Sequence, residues 1–86
     1  MKVLLPGNID LDVTAPSGLE LVVFDPSRPV PDEHTDAEVL VTWGQTADQL
    51  RAEAARLTRV RWVQTLAAGP DAVLAAGFGP EVVVTC

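Results

Sequence analysis

The sequence predicts an α/β domain built on a parallel sheet of five short strands. Five apolar segments carry that prediction: Val3-Leu4-Leu5, Leu19 to Phe24, Val39 to Thr42, Val60 to Leu66 and Glu81 to Thr85. Most are near-continuous apolar runs, as strands covered on both faces are, rather than strict alternations. About a dozen to seventeen residues separate consecutive segments. A hairpin needs roughly two to five, whereas a parallel crossover needs about a dozen. Spacing and apolar continuity therefore agree on parallel strands.

The connections are unequal. The third is a clear helix, with Thr46 as N-cap and Gln49 three residues on to close a capping box. Ala47, Leu50, Ala54 and Leu57 then fall on one face. The fourth is shorter: Gly69 precedes Pro70 at the first helical position, Val73 and Leu74 face inward, and Gly77 ends it. Residues 6–18 hold two prolines and two glycines, and residues 26–37 hold Pro26, Pro29 and Pro31 with a string of acids. At most one turn of helix is expected in either. No repeat, low-complexity tract or linker stands out.

Eighty-six residues suit one small domain, and 48% apolar residues against 21% charged ones suit a folded core. Thirteen Val, eleven Ala and ten Leu supply most of it. No apolar run approaches the roughly 18 to 20 residues of a membrane span, and the run ending at Pro6 is too short for a signal peptide. The single cysteine, Cys86, has no internal partner, which fits a reducing compartment, and it is expected at a buried strand end. A cytoplasmic protein without a membrane partner is the reading. Net charge is −6, which argues against a nucleic-acid surface. Arg51, Arg56, Arg59 and Arg61 read as a solvated face rather than a groove.

Most chemical motifs are missing. Gly77-Phe78-Gly79 precedes a proline and a strand, so it is no dinucleotide fingerprint. His34 lies in Asp32-Glu33-His34-Thr35-Asp36, read as a solvated acidic loop because no second His and no Cys is near. Ser17 and Ser27 lack a partner base. A phospho-receiver domain would carry a phosphorylated Asp after the third strand and a Lys after the fifth. This chain has Trp43-Gly44-Gln45 and no Lys beyond Lys2. A flavodoxin would carry a hydroxyl-rich phosphate loop after the first strand, where Pro6-Gly7-Asn8 stands.

Residues 60–73, Val-Arg-Trp-Val-Gln-Thr-Leu-Ala-Ala-Gly-Pro-Asp-Ala-Val, resemble the D-isomer-specific 2-hydroxyacid dehydrogenases, which carry a Trp-Val-Gln strand followed by Ala-Gly, an apolar residue and Asp. Pro80-Glu81-Val82-Val83-Val84-Thr85-Cys86 is similar to that family's next strand, and the likeness extends upstream through Ala37 to Gly44 and Lys2 to Pro6. Its specific part is residues 60–86, and Trp43 with Trp62-Val63-Gln64 leans toward the glyoxylate/hydroxypyruvate reductase-like branch. Pro70, where the family more often has Val or Ile, and the short first crossover depart from the pattern.

The resemblance implies a flavodoxin-like sheet of order 2-1-3-4-5, forming an incomplete substrate lobe of a two-domain Rossmann dehydrogenase. It implies NAD or NADP as cofactor, a small 2-oxo or 2-hydroxy acid as substrate, and a homodimer when full length. The catalytic Arg, Glu and His and the glycine-rich loop belong to the following NAD-binding domain. The 86-residue chain is accordingly expected to be incomplete and inactive by itself. It is also expected to have limited solubility, because faces meant for further helices are left open. Ligands of such sheets sit beyond the carboxyl ends of the strands, where the first and third are neighbours. Trp43, Gly44, Ala68 and Gly69 are therefore the candidate substrate-binding residues, the Ala68 and Gly69 amides taking the carboxylate. The rival reading is a non-enzymatic α/β scaffold or interaction module, natural or engineered, since every catalytic residue is lacking.

Overall fold

A computed structural model describes residues 1–9, 17–66 and 71–86. Its strands are β1 (Lys2–Pro6), β2 (Glu20–Phe24), β3 (Val39–Thr42), β4 (Trp62–Thr65) and β5 (Val83–Thr85). Helix α1 (Ala47–Arg56) joins β3 to β4, and α2 (Asp71–Ala75) lies between β4 and β5. All four strand pairings are parallel, and the order is β2-β1-β3-β4-β5. This is the flavodoxin-like α/β arrangement expected from the spacing and the resemblance. The strands are a little shorter than the apolar runs, because Val60 and Arg61 approach β4 before ladder pairing begins.

Period-two alternation divides the sheet into two faces. On the first, Leu4, Leu40 and Val63 are wholly buried and stand side by side in register. Leu50 and Leu57 of α1, Val73 and Ala76 around α2, and Val30 and Ala37 of the β2–β3 crossover cover them. The second face has a smaller cluster of Val3, Leu5 and Val39, with Leu21 and Val41 against it. Trp62 and Val83 alternate with Val63 and Val84 and so belong to that second face, where they are 44% and 58% exposed. Val23 is exposed on it as well. The Trp62 indole Nε1 donates to Thr85 Oγ1 at 2.8 Å, which in turn donates to Gln64 Oε1. A polar chain thus crosses an otherwise apolar strip.

Helix α1 begins as its sequence dictates. Thr46 Oγ1 accepts from the Gln49 amide, and Gln49 Oε1 accepts from the Thr46 amide at 2.8 Å. Each bond meets a donor that the first turn cannot meet itself. Thr46→Ala is expected to cost about 1 kcal/mol, the ordinary worth of such a cap, read as a lower urea midpoint.

Helix α2 differs from expectation. Val73 is buried, but Leu74 is 63% exposed, and Ala76 takes the second inward position. With one turn and a half of helix, Val73 and Ala76 lie three residues apart on one face and Leu74 points away. Gly77 ends the segment at φ +84°, a conformation that favours glycine. Cys86 is exposed rather than buried, because it lies one residue beyond the β5 pairing. The β2–β3 crossover holds a single 3-10 turn, Asp32–His34.

The N-terminal strand is tied to that crossover by Lys2 Nζ, which donates to Asp36 Oδ1 at 2.8 Å and to the Glu33 carbonyl. The bond from Lys2 holds the Asp36 carboxyl below the usual carboxylate range, against the opposing effect of desolvation. The same bond to Asp36 raises the Lys2 ammonium. The Asp36 contribution is therefore present above its unfolded value, about 3.9, and is lost as pH falls through the depressed folded value. The Lys2 contribution is present below about 10.4 and is lost as pH rises through the raised one. Asp36→Asn should flatten both limbs of a plot of melting temperature against pH. Unchanged limbs would show that the pair adds nothing.

Candidate functional site: the crevice at the carboxyl ends of β1, β2 and β3

The strand order reverses between β1 and β3, so the loops leaving these two strands part company and open a crevice. Asn8 spans it: its Nδ2 donates to the Trp43 carbonyl at 2.9 Å. Gly44 follows at φ +76°, the turn that carries the chain from β3 toward α1. A Cβ there would stand 3.5 Å from Asn8 Nδ2, an ordinary contact, so backbone conformation rather than space favours glycine. Gly7 has a different reason. A Cβ would meet Val23 Cγ1 at 3.0 Å and the Phe24 carbonyl at 3.1 Å, and the Gly7 amide donates to that carbonyl at 2.7 Å. Close packing on β2 therefore accounts for Gly7 without a ligand.

Trp43 is 38% exposed and belongs to neither core cluster. Gly44 lines an open depression with Asn8, Asp25, Pro26, Ser27 and Gln49. Ala68 and Gly69 lie outside the described residues. The amide of Leu66, just after β4, donates to the Thr42 carbonyl at 3.0 Å, so β4 leaves the sheet beside the start of the Trp43-Gly44 turn.

The β2 side of the crevice is an Asx-type turn that the sequence reading passed over. Asp25 Oδ1 accepts from Ser27 Oγ at 2.6 Å and from the Ser27 amide at 2.9 Å. The Ser27 hydroxyl, then its amide, holds the Asp25 carboxyl below its usual range. Asp-Pro-Ser-Arg-Pro is a turn sequence, and Asp two residues before Ser was the available signal.

Deeper in, the β2–β3 crossover packs on α1 through Glu53, whose side chain is only 4% exposed. Its Oε1 accepts from the Val30 amide at 3.3 Å and lies 3.5 Å from Arg56 Nη1. Arg56 Nη2 donates to the Val30 carbonyl at 2.7 Å and to Asp32 Oδ1 at 2.8 Å. Arg56 is accordingly a clamp between helix and crossover, not part of a solvated face. Arg51 and Arg61 are solvated, paired with Asp48 and Glu38. His34 is likewise more enclosed than an exposed acidic loop would make it, with its side chain 24% exposed.

Among the described residues, Arg28 is the one side-chain cation lining these depressions. The crevice otherwise offers carboxylates, amides and hydroxyls. The α1 N-terminus is closed by its own capping box and carries Asp48 in its first turn. These residues do not fit a dinucleotide pyrophosphate, which takes free amides and a positive helix end. No chemical step through NAD is assigned to this chain. No helix among the described residues is long and apolar enough to cross a membrane. Comparison with protein-family models, with curated proteins and with solved structures finds no match.

Proposed function

We propose that this chain is the substrate lobe of an NAD(P)-dependent D-2-hydroxyacid dehydrogenase. A small 2-oxo or 2-hydroxy acid lies over the carboxyl ends of β3 and β4, walled by Trp43 and Gly44 and held by the Ala68 and Gly69 amides. The observation that carries the reading is the 2-1-3-4-5 parallel sheet, whose β1/β3 switch point opens a crevice at the Trp43-Gly44 turn. The likeness of residues 60–86 to the family supports it. The exposure of Trp43 supports a wall more than a core role.

The cation that orients the substrate, the acid/base and the dinucleotide site come from a second, Rossmann domain. A nicotinamide held in that domain would supply the hydride chemistry at C2 of the acid, and the 86 residues by themselves are expected neither to bind NAD nor to turn over substrate.

The alternative, a non-enzymatic α/β module, is favoured by one observation: acceptors outnumber cations throughout the described crevice. The reading frame beyond codon 86 separates the two, a glycine-rich Rossmann segment supporting the enzyme and a stop codon the module. In the two-domain protein, Gly69→Val should raise KM for the acid by at least about tenfold, roughly 1.4 kcal/mol, with NADH affinity unchanged. Trp43→Ala should change the ratio of kcat/KM for glyoxylate and hydroxypyruvate. An unaltered KM in a folded Gly69→Val variant places the carboxylate elsewhere.

A further inference from the structure

β2 is an outer strand of the sheet, with β1 as its one strand neighbour among the described residues. The Glu20 amide donates to the Met1 carbonyl, and the Phe24 carbonyl accepts from the Gly7 amide. The peptide groups of a strand point alternately to its two sides, so Glu20, Val22 and Phe24 address β1. Leu21 and Val23 therefore turn their N–H and C=O groups away from the sheet, along an open edge.

Such edges are ordinarily blunted by shortness, a bulge, a proline or a lysine, because they template pairing with another chain. The opposite edge, β5, is blunted: it has three residues, and Pro80 and Glu81 stand just before it. The Val83 amide donates to the Arg61 carbonyl, so of these three only Val84 faces outward. β2 has none of these devices. Its five residues, Glu-Leu-Val-Val-Phe, pair with β1 one to one, and the Val23 side chain is 69% exposed.

The pattern is also its own complement. An antiparallel copy centred on Val22 sets Leu21 opposite Val23 of the second copy. Both residues present an N–H and a C=O to the edge, so the pair exchanges two hydrogen bonds, and the two-fold axis repeats the pair. Leu21 and Val23 project to the same face, which brings their side chains together across the junction. Charge agrees with this register. The Asp25–Arg28 turn of one copy lies at the end of the junction where Glu20 of the other lies. Arg28 is 80% exposed and only 3.8 Å from Asp25 Oδ2, which leaves it able to turn. Glu20 is exposed, and its register neighbour Lys2 is bonded to Asp36 instead.

We infer that the β2 edge is the contact between two copies of this chain, joined antiparallel about Val22 into one continuous sheet. Both copies use the same edge, so the contact closes at two. A junction of five-residue strands is smaller than a standard interface of roughly 1,200–2,000 Å², which makes the dimer weak and concentration-dependent. It needs no second domain and does not rest on the dehydrogenase reading. A net charge of −6 on each copy opposes it, so it is measured at about 0.15 M salt, where distant charges are largely screened.

Sedimentation equilibrium of the 86-residue chain is expected to show reversible growth from monomer to dimer, and no further, between micromolar and millimolar concentration. Amide hydrogen exchange should slow with concentration at Leu21 and Val23 and not at Val84. Val23→Lys places a charge on the edge at a position already exposed, so the fold is kept, and it should weaken the dimer at least tenfold. Val83→Lys, at an exposed position of the other outer strand, should leave the dimer unchanged. A chain that stays monomeric at millimolar concentration, slowed exchange at Val84 in place of Leu21 and Val23, or a dimer that Val23→Lys leaves intact would overturn the contact. So would a dimer that Val83→Lys weakens as much as Val23→Lys does, since that would place it on the Trp62 and Val83 strip.

Discussion

Leu40→Ala is expected to remove about 2–5 kcal/mol of stability. Leu40 has no exposed surface, and it sits in β3, the central strand of five. Leu4 and Val63 stand beside it in register, and Leu50 and Leu57 of α1 belong to the same cluster. Leu4 and Val63 are held by the strand ladder, so they close little of the space that truncation leaves. Small domains have about 0.05–0.15 kcal/mol of stability per residue, so this loss is a large share of the total. In urea the midpoint should fall steeply with the slope unchanged. Val23→Ala, made at an exposed position on the other face, should change the midpoint little. Equal midpoints for the two variants would mean that the first-face core is not the one described.

Glu53→Ala is expected to cost about 2–3 kcal/mol. The substitution takes the acceptor from the Val30 amide, and leaving a buried donor unmet costs about 1–3 kcal/mol. It also takes the carboxylate from beside Arg56. Breaking a fully buried pair costs about 3–5 kcal/mol, but the Arg56 side chain is 30% exposed and keeps Asp32, so only a fraction applies. A double-mutant cycle with Arg56→Ala measures that fraction directly. A neutral Glu53→Ala would show that the β2–β3 crossover is held without the carboxylate, by packing and by the bonds from Arg56 and Lys2.

Local chemistry was legible wherever the cause was local. The Thr46-to-Gln49 capping box and the Gly77 stop each depend on a few adjacent residues, and each appears in the structure. Leu74 was misread because successive helical residues point about 100° apart, so Val73 shares its inward face with Ala76 and not with Leu74. Cys86 was misread because apolar character continues past the last paired residue. Asp25 with Ser27 was a readable turn whose position at the crevice became visible only when β2 was placed beside β1.

By itself the sequence determined the fold class, since strand length, apolar continuity and crossover length are properties of the chain. It also determined the N-terminal boundary of α1 and the stop at Gly77. Tertiary structure alone decided the fate of Glu53. The residue occupies a stripe position three after Leu50 and four before Leu57, yet a carboxylate there reads as solvent-facing until the Pro29–Val30 backbone is laid across it. Burial of a charge is decided by what arrives from 23 residues away, here a donor amide and, on the next turn of the same helix, a guanidinium. Periodicity along one helix holds no record of that crossover.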